Sequence, residues 1–97
     1  GEIYTVGAGN EMSNRELTLR ILERFGLGEE MIEHVPDRPG HDLRYSVDTT
    51  KVRALGWKPA TPFDDALDAT IAWYRENEWW WRPLKEAGAS RRQGLRA

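Results

Sequence analysis

Residues 36–45, PDRPGHDLRY, place an arginine and a histidine around a proline and a glycine. Arginine presents a planar fork of donors that matches phosphate, and its charge does not titrate near neutral pH. Pro39 and Gly40 are turn formers, so the sequence predicts a tight, preset bend from which Arg38 and His41 project. This stretch is therefore a candidate site for a phosphorylated ligand.

Two aspartates flank the predicted bend. Asp37 and Asp42 could hold the Arg38 guanidinium or accept hydrogen bonds from the hydroxyl groups of a sugar. The alternative is a surface turn in which these carboxylates neutralise Arg38, and the residues alone leave both interpretations open. The spacing of His34, His41 and the aspartates fits no standard metal site, so no metal-binding residues are predicted.

A glycine turn, VGAGNEM at residues 6–12, precedes a second candidate residue. Its G-x-G pattern resembles a dinucleotide-binding fingerprint, but Met12 occupies the place of the third glycine, which favours a structural turn. The turn delivers Asn14 to the first turn of a helix, where free amides and the helix dipole suit an anion. An ordinary solvated helix start is the alternative.

The elements that would position these residues begin with a strand predicted at residues 3–6, rich in β-branched and aromatic residues. Ser13 and Glu16 form a capping box that starts a helix, and Gly26 followed by Leu27 ends it. The apolar face of that helix would consist of Leu17, Ile21, Leu22 and Phe25.

The second half of the chain follows the same alternation. A short strand is predicted at residues 31–36, and an extended segment at residues 43–48. Asp48 can cap a short helix that ends at Gly56. A longer helix is predicted from Pro62 to about Asn77. Helices alternating with short strands predict the α/β fold class.

Composition narrows the classes of function. The chain has 97 residues, no cysteine, and a net charge of -2 from 14 basic and 16 acidic residues. This balance predicts no nucleic-acid partner. No apolar run is long enough for a membrane span and no signal-peptide pattern is present, so no membrane partner is predicted and a soluble, cytoplasmic protein is expected. Only the tail SRRQGLRA is locally basic, and residues 85–97 are predicted to fray. A chain that starts in mid-strand without methionine is expected to be a fragment or a processed product.

Three adjacent tryptophans at residues 79–81 cannot all face one side of a helix. At least one is therefore expected to meet a partner surface or another domain. Stacking on nucleic-acid bases is the alternative, but it would require a basic groove, which the charge balance does not indicate.

The sequence contains no Tyr-x-x-x-Lys pair and no intact phosphate loop. The 97 residues therefore do not contain a complete active site.

The stretches EIYTVGAGNEMSNRE, DRPGHDLRYSVDTTKVRALGWKP and FDDALDATIAWYRENEWWWRPL resemble the C-terminal end of the dTDP-glucose 4,6-dehydratase family. These enzymes are extended short-chain dehydrogenase/reductases, and the resemblance covers residues 1–84. DRPGHDxRY is a rather specific signature, whereas LGWxP is shared with epimerases and decarboxylases of nucleotide sugars. By position, six residues match the family's substrate-binding residues: Asn14, Asp37, Arg38, Pro39, Gly40 and His41.

The resemblance implies a parent enzyme with an N-terminal Rossmann domain that binds NAD and supplies the catalytic tyrosine, lysine and acid. Residues 1–84 would form the smaller α/β portion that closes over the substrate's diphosphate. The parent would oxidise dTDP-glucose at C4, eliminate water across C5 and C6, and return the hydride to C6, giving dTDP-4-keto-6-deoxyglucose. The isolated chain would be inactive, with the dTDP-sugar and the NAD-binding domain as partners. The full-length enzyme would be a homodimer, and the isolated chain would self-associate.

One position departs from the family, because Ser90 stands near the place where members often carry a substrate-contacting tyrosine. Two alternatives remain open. The chain could derive from a UDP-sugar epimerase or decarboxylase, although His41 within RPGHD favours the dehydratase. It could also be a stand-alone α/β interaction module that docks through its tryptophans.

Overall fold

The computed structural model describes residues 1–96, and the side chains of residues 1–91. The described chain divides into two compact units, residues 1–63 and residues 64 onward. Its elements are, in order, α1 (Asn14–Arg24), a short 3-10 helix (Glu29–Met31), α2 (Thr50–Arg53), α3 (Phe63–Glu76) and α4 (Glu78–Arg96). None of the described helices is long and apolar enough to cross a membrane.

The prediction of an α/β fold with helices alternating with short strands is wrong. Residues 1–96 contain helices and extended segments but no β-strand. Residues 3–6 have the composition of a strand, yet a strand also requires backbone hydrogen bonds to a neighbouring strand. No such ladder forms in the described part of the chain, and residues 31–36 instead begin at the end of the 3-10 helix.

Contacts connect residues 3–7 to residues 47–51, which include the start of α2. The Thr5 hydroxyl donates to the Asp48 carbonyl, and the Lys51 ammonium donates to the Ile3 carbonyl at 2.9 Å. The approach is close, because a Cβ added to Gly7 would lie 2.9 Å from Val47 Cγ2. These contacts hold the two segments together without a backbone ladder.

Helix α1 begins and ends where the sequence predicts. The Ser13 hydroxyl accepts a hydrogen bond from the Glu16 amide at 3.1 Å, while the Glu16 carboxylate pairs with Arg20. Gly26 has a φ of 67°, a conformation that favours glycine. The amides of Gly26 and Leu27 bond back to the carbonyls of Glu23 and Leu22, at 3.0 and 2.9 Å. This pair of bonds is a Schellman motif.

The start of α2 also follows local signals. The Asp48 carboxylate accepts a hydrogen bond from the Thr50 amide at 2.8 Å. Hydrogen bonds from Thr50 lower the pKa of Asp48 below its ordinary value. Gly56, with a φ of 89°, closes the turn after α2, and α3 begins at Phe63, directly after Pro62.

The second unit contains α4, which the sequence did not predict as a helix. A single residue, Asn77, separates α3 from α4, and its side-chain amide donates to the Trp73 carbonyl at 2.8 Å. Helix α4 continues through residues 85–96, which the sequence assigned to a tail. Alanine, arginine and glutamine in this stretch have high helix propensity, whereas Pro83 and Gly88 inside α4 disfavour a helix.

The core is small. Val52, at 9% exposure, is the buried hydrophobic residue among the described side chains. Many large apolar side chains remain accessible, among them Leu43 at 102% and Trp79 at 73%. A chain of about this size buries a limited share of its surface, and exposed patches of this kind mark surfaces that meet other protein.

Candidate functional site

The predicted bend is present at Pro39 and Gly40. The His41 amide donates to the Arg38 carbonyl at 3.2 Å, and Gly40 has a φ of 72°. Proline cannot adopt positive φ, so the pattern of Pro39 followed by Gly40 at positive φ is that of a type II turn. Arg38 and His41 occupy the two ends of this turn.

Arg38 lies in solvent, as does the whole of residues 36–45. Within the part of the chain whose side chains are described, its guanidinium makes no ion pair or hydrogen bond. Asp42 accepts instead from the Tyr45 hydroxyl at 2.8 Å, and this bond raises the pKa of Tyr45. The donors of Arg38 are therefore available to a ligand.

Asn14 is the first residue of α1, and its side chain is exposed. Its carbonyl accepts from the Thr18 hydroxyl at 2.7 Å, and the first backbone bond of the helix runs from the Leu17 amide to the Ser13 carbonyl at 3.0 Å. The amides of residues 14 and 15 therefore have no partner within the helix, and the start of α1 is a position where an anion would be stabilised.

Glu11 and Arg44 connect the start of α1 to the segment that carries the turn. Arg44 donates from Nε to one Glu11 oxygen and from Nη2 to the other, the second bond measuring 2.8 Å. The pairing lowers the pKa of Glu11 and raises that of Arg44. Neither residue is predicted from the sequence, because opposite charges 33 positions apart give no local signal.

Two cavities flank the glycine turn. One, of about 270 Å³, is lined by residues 7–11 and 45–47. The other, of about 430 Å³, is lined by Ala8, Asn10, Arg53 and residues 58–63. None of the six residues predicted to bind substrate lines either cavity, so the structure presents them on an open surface.

No group of three or more histidine, cysteine, aspartate or glutamate side chains among the described residues could hold a metal ion. His34 and His41 therefore do not join the neighbouring aspartates in a ligand cluster within that part of the chain. The chemistry that the described arrangement offers is anion binding by Arg38 and hydrogen bonding by the polar side chains around it.

Comparison with known proteins finds no matching family model. Individual relatives do match. A dTDP-glucose 4,6-dehydratase from Streptomyces niveus is 55% identical over 88% of this chain and 26% of its own length. The enzyme of the same name from Streptomyces antibioticus is 44% identical over 92% of this chain and 27% of its own length. A low-salt glycan biosynthesis protein from Haloferax volcanii is 51% identical over 76% of this chain and 24% of its own length.

The chain thus spans about a quarter of the length of the curated relatives it matches. The resemblance that the three quoted stretches indicate is confirmed over most of the chain.

Proposed function

We propose that this chain, a homologue of part of the dTDP-glucose 4,6-dehydratases, is the nucleotide-sugar-binding portion of such an enzyme. Residues 1–84 would form that portion. The observation that carries the proposal is the unpaired, exposed guanidinium of Arg38 at the start of a type II turn. An arginine without a carboxylate partner, held by a preset bend, suits a diphosphate group.

Each candidate residue has a binding role in this proposal. Arg38 clamps the diphosphate through two parallel N–H donors, and Asn14 adds a donor at the start of α1. Pro39 and Gly40 set the bend. The Asp37 carboxylate accepts hydrogen bonds from hydroxyl groups of the dTDP-sugar, and His41 donates to a hydroxyl or phosphate oxygen. All six residues hold the substrate, and none of them takes part in the bond changes.

The bond changes belong to the remainder of the parent enzyme. The proposed overall reaction oxidises dTDP-glucose at C4, eliminates water across C5 and C6, and reduces C6. NAD supplies the hydride chemistry when bound, but the residues of this chain do not fit it, since Met12 stands where the dinucleotide fingerprint requires glycine. The cofactor site and the acid-base residues would therefore lie in an N-terminal domain. A homodimeric, cytoplasmic enzyme follows from the same resemblance.

A UDP-sugar epimerase or decarboxylase is the enzymatic rival. Two of the relatives described above are named for action on dTDP-glucose, and both match the part of this chain that carries RPGHD. Both kinds of enzyme bind a nucleoside diphosphate, so competition between thymidine diphosphate and uridine diphosphate tests phosphate binding by this chain. Turnover of dTDP-glucose by the parent enzyme distinguishes the dehydratase from an epimerase or decarboxylase.

The direct test is a titration of this chain with thymidine diphosphate, followed by amide chemical shifts in NMR spectra. We expect saturable shifts at residues 37–41 and at Asn14. Arg38→Ala should weaken binding about ten- to a hundredfold, since a charge-assisted bond contributes about 1.5–3 kcal/mol. Arg38→Lys should recover part of the loss, because it keeps the charge and loses the fork. Arg91→Ala, another exposed arginine, is the control.

In the parent enzyme, Arg38→Ala should raise KM and leave kcat nearly unchanged. The diphosphate does not react, so its clamp is equally strong in the ground state and the transition state. Absence of any shift at residues 37–41 up to millimolar thymidine diphosphate would overturn the proposal, as would an unchanged KM.

A further inference from the structure

The turn-bearing segment, residues 36–45, has few connections to the rest of the molecule. Two of its hydrogen bonds are internal: His41 amide to Arg38 carbonyl, and Tyr45 hydroxyl to Asp42 carboxylate. In the part of the chain with described side chains, the Arg44–Glu11 pair is its one hydrogen-bonded or ionic connection to the remaining residues.

Both partners of that pair lie close in sequence to candidate binding residues. Glu11 precedes Asn14 by three positions, and Arg44 follows His41 by three positions. The pair therefore links the segment that carries Arg38 to the start of α1. A bidentate contact fixes orientation as well as distance, because both guanidinium donors must meet both carboxylate oxygens.

We infer that Glu11 and Arg44 are positioning residues whose ion pair holds the phosphate-binding turn beside the start of α1, so that Arg38 and Asn14 act on one ligand. This inference rests on the proposed function. Neither residue needs to touch the ligand. Arg44 is unlike Arg38 in this respect, since two of its donors are occupied by Glu11.

Because the Arg44–Glu11 pair is exposed, its effect on ligand affinity can be distinguished from its effect on the stability of the fold. The side chains of Arg44 and Glu11 are 68% and 46% exposed, and ion pairs in solvent add little to the free energy of unfolding. Breaking the pair should therefore leave the melting temperature nearly unchanged. Affinity responds differently, because a site that is competent for only a fraction of the time binds more weakly by that fraction.

The test measures thymidine diphosphate affinity by NMR titration of the full chain. Glu11→Gln and Arg44→Gln should each weaken binding about three- to fivefold, the upper end of what an exposed ion pair contributes. The charge-exchanged double variant, Glu11→Arg with Arg44→Glu, should return to within about twofold of the wild type. Arg82→Gln removes an exposed pair in α4, whose Arg82–Glu78 distance is 2.8 Å, and should change nothing.

The charge-exchanged variant tests whether Arg44 contacts the phosphate directly. If Arg44 bound the phosphate itself, placing glutamate at position 44 would repel the ligand, and the double variant would bind worse than either single variant. That result would overturn the inference, as would single variants with wild-type affinity.

A second measurement does not depend on ligand and keeps the two proposals separable. The chain has no cysteine, so spin labels can be placed at exposed Glu23 and Leu43 through introduced cysteines. We expect a narrow distance distribution that broadens in Glu11→Gln and narrows again in the exchanged variant. Unchanged widths would refute the positioning role. If the wild type bound no thymidine diphosphate while the widths changed as expected, the proposed function would fail and the linkage would stand.

Discussion

Gly40→Ala gives the sharpest test of the turn that presents Arg38. Gly40 has a φ of 72°, and a Cβ built on it meets nothing within 4 Å. The substitution therefore adds no clash, and its whole effect comes from the backbone conformation. D-alanine at the same position favours positive φ and fills the same empty space.

The size of the effect follows from the backbone. A left-handed conformation costs an L-residue about 1–2 kcal/mol, which corresponds to about five- to thirtyfold in the population of the turn. The turn has one backbone hydrogen bond, from His41 to Arg38 at 3.2 Å, and residues 36–45 are exposed. With little further support, the loss of population should pass to ligand affinity almost in full. D-alanine should bind about as tightly as the wild type, because it favours positive φ and the turn is already formed.

Thymidine diphosphate affinity of the three chains, wild type, L-alanine and D-alanine, is the measurement, and a chain of this length can be assembled by ligation of synthetic peptides. Gly56→Ala is the matched control: Gly56 has a φ of 89° and open space around it, but lies after α2. It should lower the melting temperature and leave affinity unchanged. Equal affinities for L- and D-alanine at position 40 would refute the argument that this bend presents Arg38.

Three further outcomes are expected. Calorimetric titration of this chain with NAD should give no saturable heat, and micromolar binding would contradict the assignment of the cofactor to another domain. Trp79 and Trp80 are 73% and 49% exposed, so sedimentation should detect self-association that Trp79→Ser weakens; a monomer across a hundredfold range of concentration would count against it. Gly26→Ala should lower the free energy of unfolding by about 1 kcal/mol, because Gly26 has a φ of 67°. Gly88→Ala should raise it by about 0.5–1 kcal/mol, because Gly88 lies inside α4, where alanine is favoured over glycine. Melting temperatures that shift in the same direction for both variants would refute this.

The elements that the sequence predicted correctly depend on a few neighbouring residues. The end of α1 at Gly26 needs bonds spanning residues 22–27, and the turn at Pro39 and Gly40 needs one bond across residues 38–41. Helix α3 starts directly after Pro62, because the fixed φ of proline suits the first turn of a helix. In each case the allowed backbone conformations of proline or glycine decide the geometry.

The predicted strand failed because it required a distant partner. Residues 3–6 have strand composition, but their contacts to Asp48 and Lys51 run through side chains across 43 and 48 positions. Composition expresses how well a residue suits a strand, and it does not show whether a backbone ladder forms. Helix α4 was missed for a local reason, since Pro83 and Gly88 in its interior disfavour a helix that its other residues favour.

The candidate site divides along the same line. Arg38 and its turn were predictable, because the chemistry of a guanidinium and the geometry of Pro-Gly are both local. The residues beside the turn were not predictable, because the Arg44–Glu11 pair joins positions 33 apart in the sequence. A motif therefore identifies the group that binds the ligand, whereas the partners that bring two such groups together must be found in the structure. For this chain the consequence is that Glu11 and Arg44, which carry no recognisable motif, should affect affinity without contacting the ligand.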